Sequence, residues 1–504
     1  MIRSIKRIAI AGFNALCIFY ATAQPVTAQN STIGEISSAK QCITLKFDGT
    51  IRDFDILASS IATNGSNIQN IFDTIASYKQ LLSAQRYFLP SIAATFEGSY
   101  NYNPETGVLA GGSNSSFINP SYLSNEPTLS INWNFFNLSQ QSFIRSQDYT
   151  YKSTKYNTAA EMLQSVASGI NNYISLVQSA NLVRTSWMVL SSVKQQLEVI
   201  TALRLAGQRS LIDEISMRQQ YASYRNSYLT NLTNVESSLQ VINTLTSQPV
   251  CNSPSNLREY QVSYDELAQK PLDDTLDSIL NLFRSNPSYV ALLQSEKAAY
   301  FQGKSLMRTY LPTFGLSANA SLTNETGNIL GHSSSQPGRQ YSNAYTNSVM
   351  LSGNWNFYDG GQNYAKAKAS FATAEGFKSS ARQTMQSVVE TYKYSLVNDR
   401  ILRQNISVAQ GSIEDAVRAG KLIEIAYKAG FRTYLDMQTS AQNTFSAMNT
   451  KVTTEASFAG NYFQAQQVIS YPVLPNTSQI IRRFLDSASD NQLVEYTNQF
   501  NKDQ

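Results

Sequence analysis

The 504 residues carry 39 Lys and Arg against 35 Asp and Glu, and charged residues make up only 15% of the chain. This thin balance of +4, with no basic cluster, leaves no electrostatic footprint for nucleic acid. The mature chain has one histidine, His332, set among Gly331 and Ser333–335 with no second ligand at metal spacing. There is also no phosphate loop, nucleophile elbow or Cys/His pair, so no residues support an enzyme, a metal or a cofactor.

In chain order, residues 1–28 read as a signal peptide. Arg3, Lys6 and Arg7 precede an apolar run over 8–21, and the small-residue sites Ala21-Thr22-Ala23 and Val26-Thr27-Ala28 follow. The run is short for a membrane helix, and no later run of about 18 apolar residues exists. If the mature chain enters a membrane, it must do so as β-strands.

The remainder repeats itself. Leu89-Pro90 recurs as Leu311-Pro312, and Asn132-Trp133-Asn134-Phe135 recurs as Asn354-Trp355-Asn356-Phe357, both at an offset of 222. Asn64-Gly65 answers Asn286-Pro287 at the same offset, and Ala206-Gly207 answers Ala429-Gly430 at 223. Each unit opens with a helix, over 54–87 and 273–310, closed by its Pro, which lacks an N–H and clashes with the preceding turn. A strand with period-two alternation follows, for example Phe314, Leu316, Ala318, Ala320 and Leu322. After a Ser/Asn/Gly-rich loop (103–125 and 324–343), a second strand carries Leu129, Ile131, Trp133 and Phe135. Its counterpart carries Val349, Leu351, Gly353, Trp355 and Phe357. The alternation alone also fits an ordinary soluble hairpin with one core face; strands of this length can instead cross an outer membrane when tilted, and since four of them cannot close a barrel, several subunits would then contribute.

Each second strand leads into a helix without Pro, over 139–205 and 362–428. Some 67 residues span about 100 Å, beyond any compact domain. Leu402, Ile406, Ala409, Ile413, Ala416, Gly420, Ile423 and Tyr427 form a heptad seam, as do Leu163, Val166, Ile170, Tyr173, Val177 and Ala180. The chain turns back at a Gly into returning helices over 211–246 and 434–470. The expected division is a signal peptide (1–28), a first strand–helix repeat (29–247), a linker (248–272), a second repeat (273–471) and a tail (472–504). The tail has little apolar pattern apart from 480–485, and dispensability is expected of it.

The chain resembles the TolC-type outer-membrane efflux proteins. The resemblance rests on the paired Leu-Pro strand entries, on the run 354–361 (Asn-Trp-Asn-Phe-Tyr-Asp-Gly-Gly), and on the tip sequences 206–213 and 429–436. It implies an α+β membrane protein: a homotrimer with a twelve-stranded outer-membrane β-barrel, continued by a long periplasmic α-helical coiled-coil barrel. It further implies docking to a periplasmic adaptor and to an inner-membrane pump or secretion ATPase, with outer-membrane lipid around the strands. Carried over by position, Asp213, Tyr427, Arg432 and Asp436 would hold the periplasmic aperture shut. Gly207, Arg209, Gly430 and Thr433 would form the tip turns and adaptor-docking sites, and Trp133, Phe135, Trp355 and Phe357 an interfacial girdle. The resemblance places Cys42 and Cys251 at an equatorial belt, where an oxidising compartment favours a disulfide. Two departures stand out: Asn137-Leu138-Ser139 replaces Asp359-Gly360-Gly361 in the first unit, and Thr439 stands where a second tip carboxylate would be.

The leading function is therefore a passive exit duct of a tripartite efflux or type I secretion system. The competing reading is a structural or adhesive coiled-coil outer-membrane protein without channel activity. Conductance separates the two.

Overall fold

A computed structural model describes residues 42–102, 121–272, 283–328 and 340–487. The signal segment, His332 and the first residues of the expected second-repeat helix lie outside these. In chain order the elements are α1 (Ile51–Ala62), α2 (Gly65–Gln85), β1 (Ser91–Tyr102), β2 (Ser121–Phe136), α3 (Leu138–Leu205), α4 (Leu211–Leu245) and α5 (Asp265–Ala268). The second repeat and tail give α6 (Pro287–Met307), β3 (Thr313–Asn328), β4 (Gln340–Asn354), α7 (Gln362–Lys428), α8 (Tyr434–Val468) and α9 (Pro475–Asp486).

The long helices, the returning helices and the four strands lie where the pattern puts them. The initial helix of the first repeat does not run unbroken over 54–87. Asn64 adopts an extended backbone, and its side chain accepts from Asn67 N at 2.9 Å, so it caps a new helix. Asn286 caps α6 in the same way, through Ser288 N and Tyr289 N. The recurrence of Asn64 and Asn286 is thus the recurrence of an N-cap. Both initial helices end in a short 3-10 turn before Leu89-Pro90 and Leu311-Pro312.

The sheet is antiparallel, in the order β1-β2-β3-β4. Pairing extends further than the sequence suggests, because 121–125, 324–328 and 340–343, read as loop, are strand. Register sorts the faces. Ile92, Ile131, Ala318 and Val349 lie in one row across the four strands, while Thr95, Thr128, Ser321 and Thr346 lie in a row on the opposite face. The apolar face is open, with Ile92, Phe96, Val349 and Leu351 all more than two-thirds exposed. Within the chain, the outer edges of β1 and β4 pair with no further strand among the described residues.

The two strand-to-helix turns resolve the departure at Asn137. Asn137 is itself an N-cap, accepting from Gln140 N at 3.0 Å, and α3 begins at the next residue. Asp359 accepts from Gly361 N and Asn363 N, and Gly360 and Gly361 both take positive φ, so α7 starts two positions later in the repeat.

The main core forms where α1, α3 and α8 meet the 42–50 segment and the linker. The ring of Phe54 lies 4.9 Å from that of Tyr173 and 4.3 Å from that of Phe463. Buried Asp53 accepts from Phe47 N (2.7 Å), Lys46 N (3.3 Å) and the Tyr173 hydroxyl (3.0 Å), pinning the N-terminal segment onto α3. Burial and the Asp53 carboxylate push the Tyr173 phenol up. The linker is held by a parallel bridge between Ile43 and Val250, by Asn181 bonded both ways to the Val262 backbone, and by the Cys42–Cys251 disulfide, Cα–Cα 5.4 Å.

The tail expectation needs correction. Residues 475–486 form α9, which buries Thr477, Ile481 and Phe484 against α1 and α3. Asp55, 5% exposed, accepts from Asn476 N, Thr477 N and Thr477 Oγ1, each at 3.1 Å. Buried Lys155 donates to the Ser487 carbonyl at the end of α9. Burial lowers its ammonium and neighbouring Asp486 partly offsets that. Apolar spacing in a twelve-residue helix is a weak signal, and the polar anchors come from more than 300 residues away.

Candidate functional site at the helical tips

Both long helices end in the same turn. Gly207 and Gly430 adopt φ of 75° and 86°, the left-handed region that closes a helix, and neither has a neighbour near a would-be Cβ. Gln208 N bonds Leu203 O and Phe431 N bonds Ala426 O, both at 2.9 Å, satisfying carbonyls that the helix end would orphan. Ser210 then caps α4 through Ile212 N and Asp213 N. Thr433 caps α8 in a capping box with Asp436, whose carboxylate accepts from Thr433 N and Oγ1, both at 2.9 Å. Those bonds, with a smaller contribution from Arg432, hold the Asp436 carboxyl below the usual range.

The two hairpins of the chain touch through an apolar cluster that includes Met217 and Met437, and through one cation. Arg209 donates to the Tyr427 carbonyl at 2.8 Å, and its guanidinium sits 4.2 Å from the Tyr427 ring centroid. Tyr427 is fully buried. Burial raises its phenol, Arg209 opposes the shift, and Asp213 adds to it. Burial, and then the same Asp213, raises the phenol of Tyr434, whose hydroxyl donates to Gln220 on α4 at 3.2 Å. The structure therefore gathers Arg209, Asp213, Tyr427 and Tyr434 at one place.

It does not bring all the aperture candidates together within the chain. Neither Asp213 nor Arg432 makes an ion pair among the described residues, and the Asp436 carboxylate is spent on its own helix start. The sequence reading also missed Glu214. It is 1% exposed and ion-paired to both Arg204 on α3 and Arg218 on α4. At the matching positions the second hairpin has Tyr427, Met437 and Ala441. The signal was an acid in a first helical turn with Arg four residues on, a spacing usual on solvated helix faces.

At the other end of the helices, the girdle aromatics have a structural task. Trp133 Nε1 donates to Phe88 O at 2.8 Å and Trp355 Nε1 to Tyr310 O at 2.9 Å. Phe135 and Phe357 sit beside their tryptophans, with centroids 5.6 and 6.0 Å apart. Trp355 and Phe357 lie just beyond β4, which ends at Asn354, and not on the strand as expected.

Residues 282–466 match the family model described as outer membrane efflux protein. The second repeat is of the outer membrane efflux protein family. The resemblance read from the residues is thereby borne out. The fold is similar to that of the CusC transmembrane channel (13% identity, TM-score 0.69, covering 84% of this chain and 93% of that one). It is also similar to the Campylobacter jejuni CmeC outer membrane channel (16%, 0.67, 90% and 94%) and the Neisseria gonorrhoeae MtrE outer membrane channel in its open state (17%, 0.63, 86% and 93%). These structures cover the first repeat as well as the second. No curated protein sequence matches the chain.

Proposed function

We propose that this protein is the outer-membrane exit duct of a tripartite efflux or type I secretion system, working as a homotrimer. The observation that carries the reading is the sheet. Its outer face is apolar, its inner face is Ser/Thr/Asn-rich, and both of its edges are open. An open edge is not tolerated in lipid, and four strands leave no interior. Three copies joined β1 to β4 give twelve strands with a wet lumen. The helices α3 and α7, each about 100 Å long, continue that lumen as a periplasmic tunnel.

At the far end the tip hairpins close the tunnel, with Asp213, Tyr427, Arg432 and Asp436 around the aperture. Gly207, Arg209, Gly430 and Thr433 form the turns offered to a periplasmic adaptor, behind which stands an inner-membrane pump or secretion ATPase. Charged hydrogen bonds are worth about 1.5–3 kcal/mol when shielded and less when wet. A threefold set holds a pore shut yet yields to a partner. Since Asp213 and Arg432 find no ion pair among the described residues, their partners in this reading belong to the neighbouring protomers.

The test is the purified protein in detergent and then in a planar bilayer. The expected result is a trimer by analytical ultracentrifugation and discrete conductance steps. A stable monomer with full β content, or a trimer that never conducts, would overturn the reading; the latter outcome favours a coiled-coil rod.

A further inference from the structure

Midway along the helices, α8 lies between α3 and α7 and lines a cavity of about 420 Å³ with them. Six carboxamides surround it: Gln164, Asn171, Asn398, Asn461, Gln464 and Gln467. No Lys, Arg, Asp, Glu or His lines it. We propose that this cavity is a binding site for a neutral saccharide.

The lining selects the ligand class. A charged ligand would find no counter-ion, and an apolar one would strip water from six amides without replacing their hydrogen bonds. A neutral molecule rich in hydroxyls or amides satisfies them. The volume falls in the range of about 300–1,000 Å³ typical of small-molecule sites.

Four of the six amides are held in place but retain capacity. Gln467 Nε2 donates to Gln164 Oε1 at 2.9 Å, joining α8 to α3. Asn398 Nδ2 donates to Asn461 Oδ1 at 3.1 Å, joining α8 to α7, and Asn461 Nδ2 donates to the Ser395 carbonyl at 2.8 Å. Each of these side chains has two N–H donors and two acceptor lone pairs, so each keeps positions for a ligand. These four amides are preorganised, because they are already oriented by one another.

The aromatic lining fits the same class. Tyr394 is 63% exposed at the rim, offering a ring face, while Phe463 and Tyr471 are buried. A sugar ring presents C–H groups on its faces and hydroxyls around its edge. It can therefore stack on Tyr394 while its edge meets the amides. The inference does not depend on the channel reading, since binding requires no transport.

The test uses the purified protein in detergent, titrated with triacetylchitotriose and maltotriose by saturation-transfer NMR and calorimetry. The expected result is saturable binding of at least one of them. Asn171→Leu with Gln464→Leu changes two exposed rim amides outside the hydrogen-bonded pairs. The pair should weaken binding by about tenfold or more, about 1.4 kcal/mol, with thermal midpoint and conductance unchanged. Tyr394→Ala should weaken it as well. A further arm offers insoluble cell-wall glycan, to distinguish a polymer source from free oligosaccharide. No saturable binding in any arm overturns the proposal, and so does undiminished binding by the rim variant.

Discussion

The indole N–H of Trp133 donates to the carbonyl of Phe88, two residues before Pro90, and the indole of Trp355 does the same to Tyr310, two residues before Pro312. The chain turns into a strand after Leu-Pro, so no helical N–H three or four residues on reaches this carbonyl, and the Trp indole satisfies it instead. That bond explains why the Leu-Pro pair and the Asn-Trp-Asn-Phe run recur at one common offset. Replacing both indoles by Phe keeps most of the ring and removes the donor. Each loss should cost about 0.5–1.5 kcal/mol, read as a lower thermal unfolding midpoint. An unchanged midpoint would show that the rings alone matter.

The helix α9 should be required for assembly. Truncation after Tyr471 removes Phe484 and Ile481 from the core and leaves the Asp55 carboxylate buried without its three donors. The milder Phe484→Ala should destabilise by about 3–5 kcal/mol. Size-exclusion chromatography of the truncated chain is expected to show no trimer. A normal trimer peak would restore the tail to the dispensable status that its sequence suggests.

The Cys42–Cys251 bridge spans 209 positions. Removing a native disulfide typically costs about 2–5 kcal/mol, and long loops lie toward the upper end in the chain-entropy account. Cys251→Ser should lower the melting temperature by several degrees, and reductant should then have no further effect. Reductant that shifts the variant and the parent equally would place the sensitivity elsewhere.

Acid should loosen the second tip hairpin. The Asp436 carboxyl is depressed in the folded protein by the Thr433 N–H and hydroxyl. A depressed carboxyl contributes stability that is present above its ordinary value of about 3.9 and lost as the pH falls through the lower folded value. Amide exchange at Leu435, Asp436 and Met437 should therefore accelerate below about pH 4. In Asp436→Asn that acceleration should disappear.

Replacing Asp213 and Arg432 together by Ala should raise single-channel conductance while leaving the thermal stability of the barrel unchanged. Ala preserves the helices, and a shift of about 1.4 kcal/mol changes an open–closed ratio tenfold. Wild-type conductance in this variant, with increased conductance when Arg403 is replaced, would move the gate to mid-helix. There Arg403 pairs with Asp399 at 2.7 Å.

What the sequence revealed and what it hid have a common physical cause. Periodicity is a local property, so α3, α4, α7 and α8 could be bounded to within two residues, and the seam positions Leu163, Val166, Ile170, Tyr173, Val177 and Ala180 are all buried as expected. Caps are local too, but Asn64 in mid-helix looks like any Asn until its backbone is seen to be extended. The anchoring of α9 by Asp55 and Lys155, and the pairing of Arg204 with Glu214, join residues through space with no spacing rule to announce them. At the tips the sequence located the turns correctly. It could not show that Asp436 serves its own helix, or that Arg209 reaches across from one hairpin to the other.

The bridge between Cys42 and Cys251 encloses the first repeat and none of the second. Once closed, it makes the first repeat a covalent ring and leaves the second outside that ring. The two copies of the repeat, so alike in plan, thus enter folding under different constraints: one as a covalent loop, the other as an open chain that must dock onto it.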